Sequence, residues 1–453
     1  MPCHCQYIFP QQNSVRVSSL PSLPAGTNNI GSVNVNSLPT VSLSSLPEGT
    51  NNIGSVDIQS TGPLSDAFGR LRVSEPFNLF SSKTLRDSRP LLWSEAITGS
   101  GTSNFLTNQS AVSISVGSSS GSVIRQSKRY SNYQPGKSQL IFISFVMRTP
   151  EVGVTKRVGY FDNTCGIYLE ATSSGISFVL KTVRVDGTAV YTSVSQSDWT
   201  INTFQGLNLN FPQILCFDFE WLGVGRVRAG FVVDGEIFYC HEFLNSNQSA
   251  NTRDNIGVFI NTPNLPIRYE ISSIGNLSDT MTCICSSVQS EGGQQYVGYL
   301  RAINTGTTAI TVSSPNTVLL GISLKPTYYF STIKIKSISI LCNTSSSYQW
   351  NLVLNPSLSG PVSWLDLTNS SARYAIGTGT LTATNGTILY SEYSLQGNNT
   401  SSSNVFASSN TENNIILGTD VNNNPDQLFI LITRLQTTGS DDFYCSINFE
   451  EQY

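Results

Sequence analysis

The chain has 453 residues, enough for two or three domains of ordinary size with sizeable cores. Only 12% of the residues are charged, against about 25% in an average globular chain, and Ser, Thr, Asn and Gly take their place. The net charge of −4 without a long run of either sign excludes a phosphate-binding face and so argues against a nucleic-acid partner, and no apolar run reaches a membrane-spanning length.

The first sixty residues carry an internal repeat. The stretch from Leu20 through Gly26-Thr27-Asn28-Asn29-Ile30-Gly31-Ser32-Val33-Asn34-Val35 returns from Leu43 through Gly49-Thr50-Asn51-Asn52-Ile53-Gly54-Ser55-Val56-Asp57-Ile58. Each copy holds a turn followed by a short strand whose β-branched residues share one face. Two copies are too few for a solenoid within one chain, so partner chains are the natural source of cover. Residues 1–60 are therefore expected to be a docking or oligomerisation arm. Its apolar seam would be Ile30, Val33, Val35, Ile53, Val56 and Ile58, flanked by Leu20, Leu23, Leu43 and Leu46.

From about residue 61 the texture becomes β-patterned. Strands are predicted over 111–116, 140–146, 153–160, 175–185, 214–221, 227–233 and 236–239, with hairpin turns at Asp186-Gly187 and Asp234-Gly235. A polar passage over 286–295 precedes further strands predicted at 296–303, 308–312, 317–324, 332–341, 348–354, 379–383, 387–393 and 427–435. No amphipathic helix of ordinary length is visible. The expected fold is all-β: the repeat arm, then one or two β-sandwich or jelly-roll, lectin-like domains, over 61–285 and 286–453.

Several patterns bear on chemistry. Gly136-Lys137-Ser138 matches the end of a phosphate loop, but Ser131 stands where the motif needs Gly and a strand follows, so a plain turn is expected. Asp218 and Glu220 alternate on one strand, as a hydrolytic carboxylate pair would; Arg226 and Arg228 repeat the spacing after the Gly223-Val224-Gly225 turn, which favours a cross-strand ion network on the outer face. The nine cysteines, Cys3-x-Cys5 and Cys283-x-Cys285 among them, are expected to be reduced, mostly buried thiols and not zinc ligands. The two histidines, His4 and His241, leave little room for imidazole chemistry, and His241 is expected to be a hydrogen-bonded interior or edge residue. Five tryptophans and eighteen tyrosines suffice to line a sugar- or protein-binding surface, although most should be core. No catalytic, cofactor or metal residues are assigned, and the chain is expected not to be an enzyme.

Six stretches carry a resemblance: the Leu-Pro-x-Gly-Thr-Asn-Asn-Ile-Gly-Ser-Val repeat, Asp66-Ala67-Phe68-Gly69-Arg70-Leu71-Arg72-Val73-Ser74-Glu75-Pro76, Tyr133-Gln134-Pro135-Gly136-Lys137-Ser138-Gln139, Val158-Gly159-Tyr160-Phe161-Asp162, Trp221-Leu222-Gly223-Val224-Gly225-Arg226-Val227-Arg228, and Thr262-Pro263-Asn264-Leu265-Pro266-Ile267-Arg268-Tyr269-Glu270. They resemble β-rich structural proteins of tailed bacteriophages and other double-stranded DNA viruses, of the fibre, spike or decoration type. The resemblance implies a virion component made in the host cytoplasm, a homo-oligomer and most simply a trimer. Its partners would be other capsid or tail proteins and a host surface glycan or protein. Two alternatives stay open: a tailspike-like glycan-degrading enzyme using Asp218 or Glu220, and a stand-alone carbohydrate-binding module.

Overall fold

The computed structural model describes residues 76–184, 186–247, 257–275, 277–295, 298–344, 346–394, 415–436 and 438–452, and the backbone of 401–405. All ten seam and flank residues of the arm, Leu20, Leu23, Ile30, Val33, Val35, Leu43, Leu46, Ile53, Val56 and Ile58, lie outside the described residues, as do Cys3, His4 and Cys5. The described residues are all-β: twenty-seven strands, a few single 3₁₀ turns and no α-helix.

Thirteen strands form one antiparallel sheet: β1 (Phe77–Lys83), β2 (Trp93–Leu106), β3 (Ala111–Ser127), β4 (Gln139–Val146), β5 (Val154–Phe161), β6 (Gly166–Thr172), β7 (Gly175–Val183), β8 (Ala189–Ser195), β9 (Gln213–Phe219), β10 (Val227–Val233), β11 (Glu236–Phe243), β12 (Ile267–Ser273) and β13 (Asp279–Ser290). They run in the order β11-β10-β9-β4-β13-β3-β12-β5-β6-β7-β8, with β1 on β13 and β2 on β3. The sheet curls onto itself. Phe178 of β7 and Phe217 of β9 stand far apart in strand order, yet their ring centroids are 6.2 Å apart, and Tyr160 of β5 meets Phe219 of β9 at 5.8 Å. One apolar face thus closes over itself as a sandwich, filled by alternate residues such as Ile141, Ile143 and Phe145. Both expected Asp-Gly turns form: Asp234 (φ 52°) and Gly235 (φ 88°) join β10 to β11, and the Gly187 N–H closes on Arg184 O between β7 and β8.

Residues 286–290, read from sequence as part of a polar passage, belong instead to β13. Their serines and glutamine alternate with Val288, and the ladder to β1 and β4 supplies the order that their composition does not.

The remaining strands are β14 (Tyr299–Asn304), β15 (Ile310–Val312), β16 (Thr317–Leu324), β17 (Thr332–Cys342), β18 (Tyr348–Leu354), β19 (Ser357–Leu358), β20 (Leu365–Asp366), β21 (Ala372–Ile376), β22 (Ala383–Thr384), β23 (Thr387–Ser394), β24 (Ser401–Val405), β25 (Ile416–Leu417), β26 (Gln427–Arg434) and β27 (Asp441–Gln452). One sheet is ordered β14-β27-β17-β24, with β15 and β25 at its flanks; the other is β20-β21-β16-β26-β18-β23. Their facing residues, among them Ile335, Ile340, Ile447 and Phe449 against Ile322, Trp350 and Ile430, make a second core. The two sandwiches belong to one compact unit. Their seam carries Lys128 O accepting from the Thr419 N–H at 2.8 Å, Lys128 near Asp426 at 3.7 Å, and Tyr130 edge-on to Tyr329 at 5.5 Å.

Candidate functional site

A cleft opens along this seam, built by loops and the end of β7 from the first sandwich and by the turn around Tyr329 and the end of β27 from the second. Two cavities of about 510 and 320 Å³ share Tyr133, Pro135 and Asn264 as a common wall, a size ordinary for small-ligand sites.

The larger end is aromatic. Trp221, two residues past the end of β9, is half-buried; its indole N–H donates to Ile260 O at 3.0 Å, and its backbone N–H donates to Tyr133 Oη at 3.2 Å. The loop behind it is tight: the Gly225 N–H reaches Trp221 O at 2.6 Å, and a Cβ on Gly225 would stand 2.6 Å from Glu220 O, so only glycine fits there. Asn264 fixes the opposite wall. Its Oδ1 accepts the Tyr133 N–H at 2.9 Å, and its own N–H donates to Thr262 Oγ1 at 3.2 Å. Tyr329 and Phe330, edge to face at 5.4 Å, close the second-sandwich side.

Tyr329 is held from below. Its hydroxyl lies 3.4 Å from Thr164 Oγ1, and Thr164 donates to the buried carboxylate of Asp162, which also accepts from Tyr130 Oη at 3.2 Å. Burial, with Asp162 adding to it, pushes the Tyr329 phenol up to about 12 and the Tyr130 phenol well above its usual range. Both hydroxyls are thus neutral donors at any physiological pH. Among the described residues lining the larger cavity there is no Asp, Glu, Lys or Arg. The surface is an aromatic rim with Thr164, Asn261, Thr262 and Asn264 between the rings. Such a surface can stack on the apolar face of a neutral ring and hydrogen-bond its hydroxyls, and it holds no acid–base pair.

Asp218 is elsewhere and differs from the sequence expectation in one respect. It pairs with Arg228 across β9 and β10 as the spacing predicts, but the pair is buried and not on an outer solvated face. Asp218 is fully buried because Ser138 and Tyr239 cover it, donating at 2.5 and 2.9 Å, while Arg228 stacks on the Tyr239 ring at 4.3 Å. Arg226 pairs with Glu242 at 3.6 Å, and Glu220 lies just past the strand end, buried. Neither carboxylate lines the cleft. His241 is buried, with Nδ1 at 3.2 Å from Thr200 Oγ1, and desolvation lowers its pKa. Cys283 is buried and Cys285 half-buried on β13; both are free thiols, like Cys165, Cys216, Cys240, Cys342 and Cys445. Gln134 to Ser138 form the expected turn, with Gly136 at φ 85°.

Sequence reading did not single out the cleft. It did quote the stretches beginning at Tyr133, Trp221 and Thr262, and these three meet here although they lie some 40 to 130 positions apart. The aromatic run Tyr328-Tyr329-Phe330, behind Pro326, was a further signal left unread.

No family model matches the chain, and no curated protein does. Among solved structures it is similar to a glycoside hydrolase family 16 endo-glucanase from Bacteroides ovatus, 10% identical with a TM-score of 0.32 over 46% of this chain and 99% of that one. It is also similar to the CBM2 module of the evolved Dit of Lactobacillus casei BL23 phage J-1 (7% identical, TM-score 0.31, 49% of this chain and 99% of that one). A third likeness is to the carbohydrate recognition domain of Emp47p (10%, TM-score 0.31, 49% and 99%). Likenesses at these identities and TM-scores assign neither a family nor a ligand to this chain.

Proposed function

We propose that the chain is a non-catalytic, glycan-binding structural protein of a virion, a fibre, spike or decoration protein whose repeat arm assembles it into a homo-oligomer, most simply a trimer. The observation that carries the binding reading is the seam cleft, in which Trp221, Tyr133, Tyr329 and Phe330 surround neutral amide and hydroxyl groups. Rings give large contact area at low entropic cost, and prearranged amides supply direction to hydroxyls. The virion role is supported by the arm's repeat and by the resemblance of the stretches quoted above.

Glycan arrays of bacterial surface polysaccharides probed with the full chain test the binding reading. The wild type should bind a defined subset, and Trp221→Ala should lose at least tenfold in affinity while keeping its strand spectrum. Equal binding by the two proteins would remove the cleft from the account. A hydrolytic role is disfavoured by the placement of Asp218, whose carboxylate is consumed by Arg228, Tyr239 and Ser138.

A further inference from the structure

The two ends of the cleft differ in charge. The aromatic end has no ionic lining residue, whereas the smaller end has one, Lys137, on the turn before β4. Its half-buried ammonium donates to Gly293 O at 2.9 Å and is paired with no carboxylate among the described residues. Glu450, to which Gln452 donates at 2.9 Å, is neutralised by Lys336 at 2.5 Å. The rest of the wall is amide, held in place from within. The Gln295 N–H donates to Gln134 Oε1 at 3.0 Å, and Asn132 Nδ2 donates to Gln452 Oε1 at 2.8 Å. Gln294 completes this wall.

A single lining cation among fixed amides, joined through Tyr133, Pro135 and Asn264 to an aromatic end, is built for a ligand that brings an anion next to an uncharged ring. We propose that the cleft recognises an acidic glycan, with a neutral sugar on the Trp221 end and the carboxylate of an adjoining sugar acid on Lys137. This rests on the glycan-binding reading above. A carboxylate on an ammonium makes charge-assisted hydrogen bonds about twice as strong as neutral ones, and the partial shielding of Lys137 limits their screening.

The test is a titration of the full chain with paired oligosaccharides: uronate-containing fragments of surface polysaccharides and the same fragments after carboxyl reduction to the neutral sugars. Wild type should bind at least one acidic member about tenfold more tightly than its reduced twin, with the preference shrinking as salt rises. Lys137→Gln should abolish the preference by weakening the acidic member far more than its reduced twin, and Lys137→Arg should restore it. Equal affinity for both members of every pair, or a preference that survives in Lys137→Gln, overturns the acidic-ligand proposal and leaves the cleft reading intact. Absence of binding to both members of every pair and to the whole array overturns both. Because Lys137 sits on a surface turn, its replacement is not expected to disturb folding, and an unchanged melting temperature checks that.

Discussion

Asn264 holds the cleft together at the scale of a single residue. It is buried, and its carboxamide takes the backbone N–H of Tyr133 across 131 positions of chain. Alanine there leaves that N–H without an acceptor, and a buried unsatisfied donor costs about 1–3 kcal/mol. We expect Asn264→Ala to lower the denaturation midpoint by that much and to weaken glycan binding as well. Asp218 makes the opposite prediction for function. Asp218→Asn removes the negative partner of Arg228 in a buried pair, a loss of about 3–5 kcal/mol where one partner of a buried pair is removed, measurable by urea unfolding, while glycan affinity per folded molecule stays unchanged. The Asp218–Arg228 partnership was legible in the sequence, because residues equally spaced about a tight turn meet in register. Its burial was not, since the covering groups, Ser138 and Tyr239, come from β4's approach and from β11 and leave no local mark.

Among the elements, β27 concentrates acid sensitivity. It pairs with β14, β15 and β17, so the second sandwich depends on it. Burial raises the pKa of each of its carboxylates Asp441, Glu450 and Glu451, but hydrogen bonds and cations outweigh it: Thr344 and Arg434 on Asp441, Lys336 and Gln452 on Glu450, and Ser370, Ser371 and Arg301 on Glu451. All three are held below the ordinary carboxylate range. A depressed folded pKa stabilises fully above the unfolded value, about 4 for these groups, and the contribution fades as pH falls through the folded values. Thermal unfolding should therefore be flat from pH 7 to about 5 and drop steeply below 4, and Glu451→Gln should flatten the drop while lowering stability at pH 7. A melting temperature independent of pH down to 3 would contradict this. Strand β27 itself escaped sequence reading. Its apolar residues Phe443, Cys445, Ile447 and Phe449 alternate cleanly, but acidic pairs at both ends disguise them as a solvated tail. By contrast the bounds of β16 and β18 match the sequence reading to the residue, because each is a short run rich in aromatic and aliphatic residues bounded by turn-forming or polar residues. Strands rich in Ser, Thr and Gly, such as β2, take their order from the ladder to a neighbour and show little pattern of their own.

For the whole molecule, the all-β class followed from weak charge, frequent turns and alternating patterns, and the seam cleft did not, because it depends on loops from two sandwiches meeting. Assembly is the proposal carried by the arm. The full chain should run in light scattering at about three times 49.2 kDa, and replacing Ile30, Val33, Ile53 and Val56 by Asp should reduce that mass without changing the strand spectrum. An unchanged mass would remove the seam from the account. The proposed function requires that the cleft bind a glycan without cutting it. Titrating the full chain with an array-selected oligosaccharide, while counting reducing ends in the same samples over hours, tests it most directly. Saturable binding at one site per chain with no rise in reducing ends is expected; absence of saturable binding, or steady release of new ends that Asp218→Asn abolishes, would overturn the proposal.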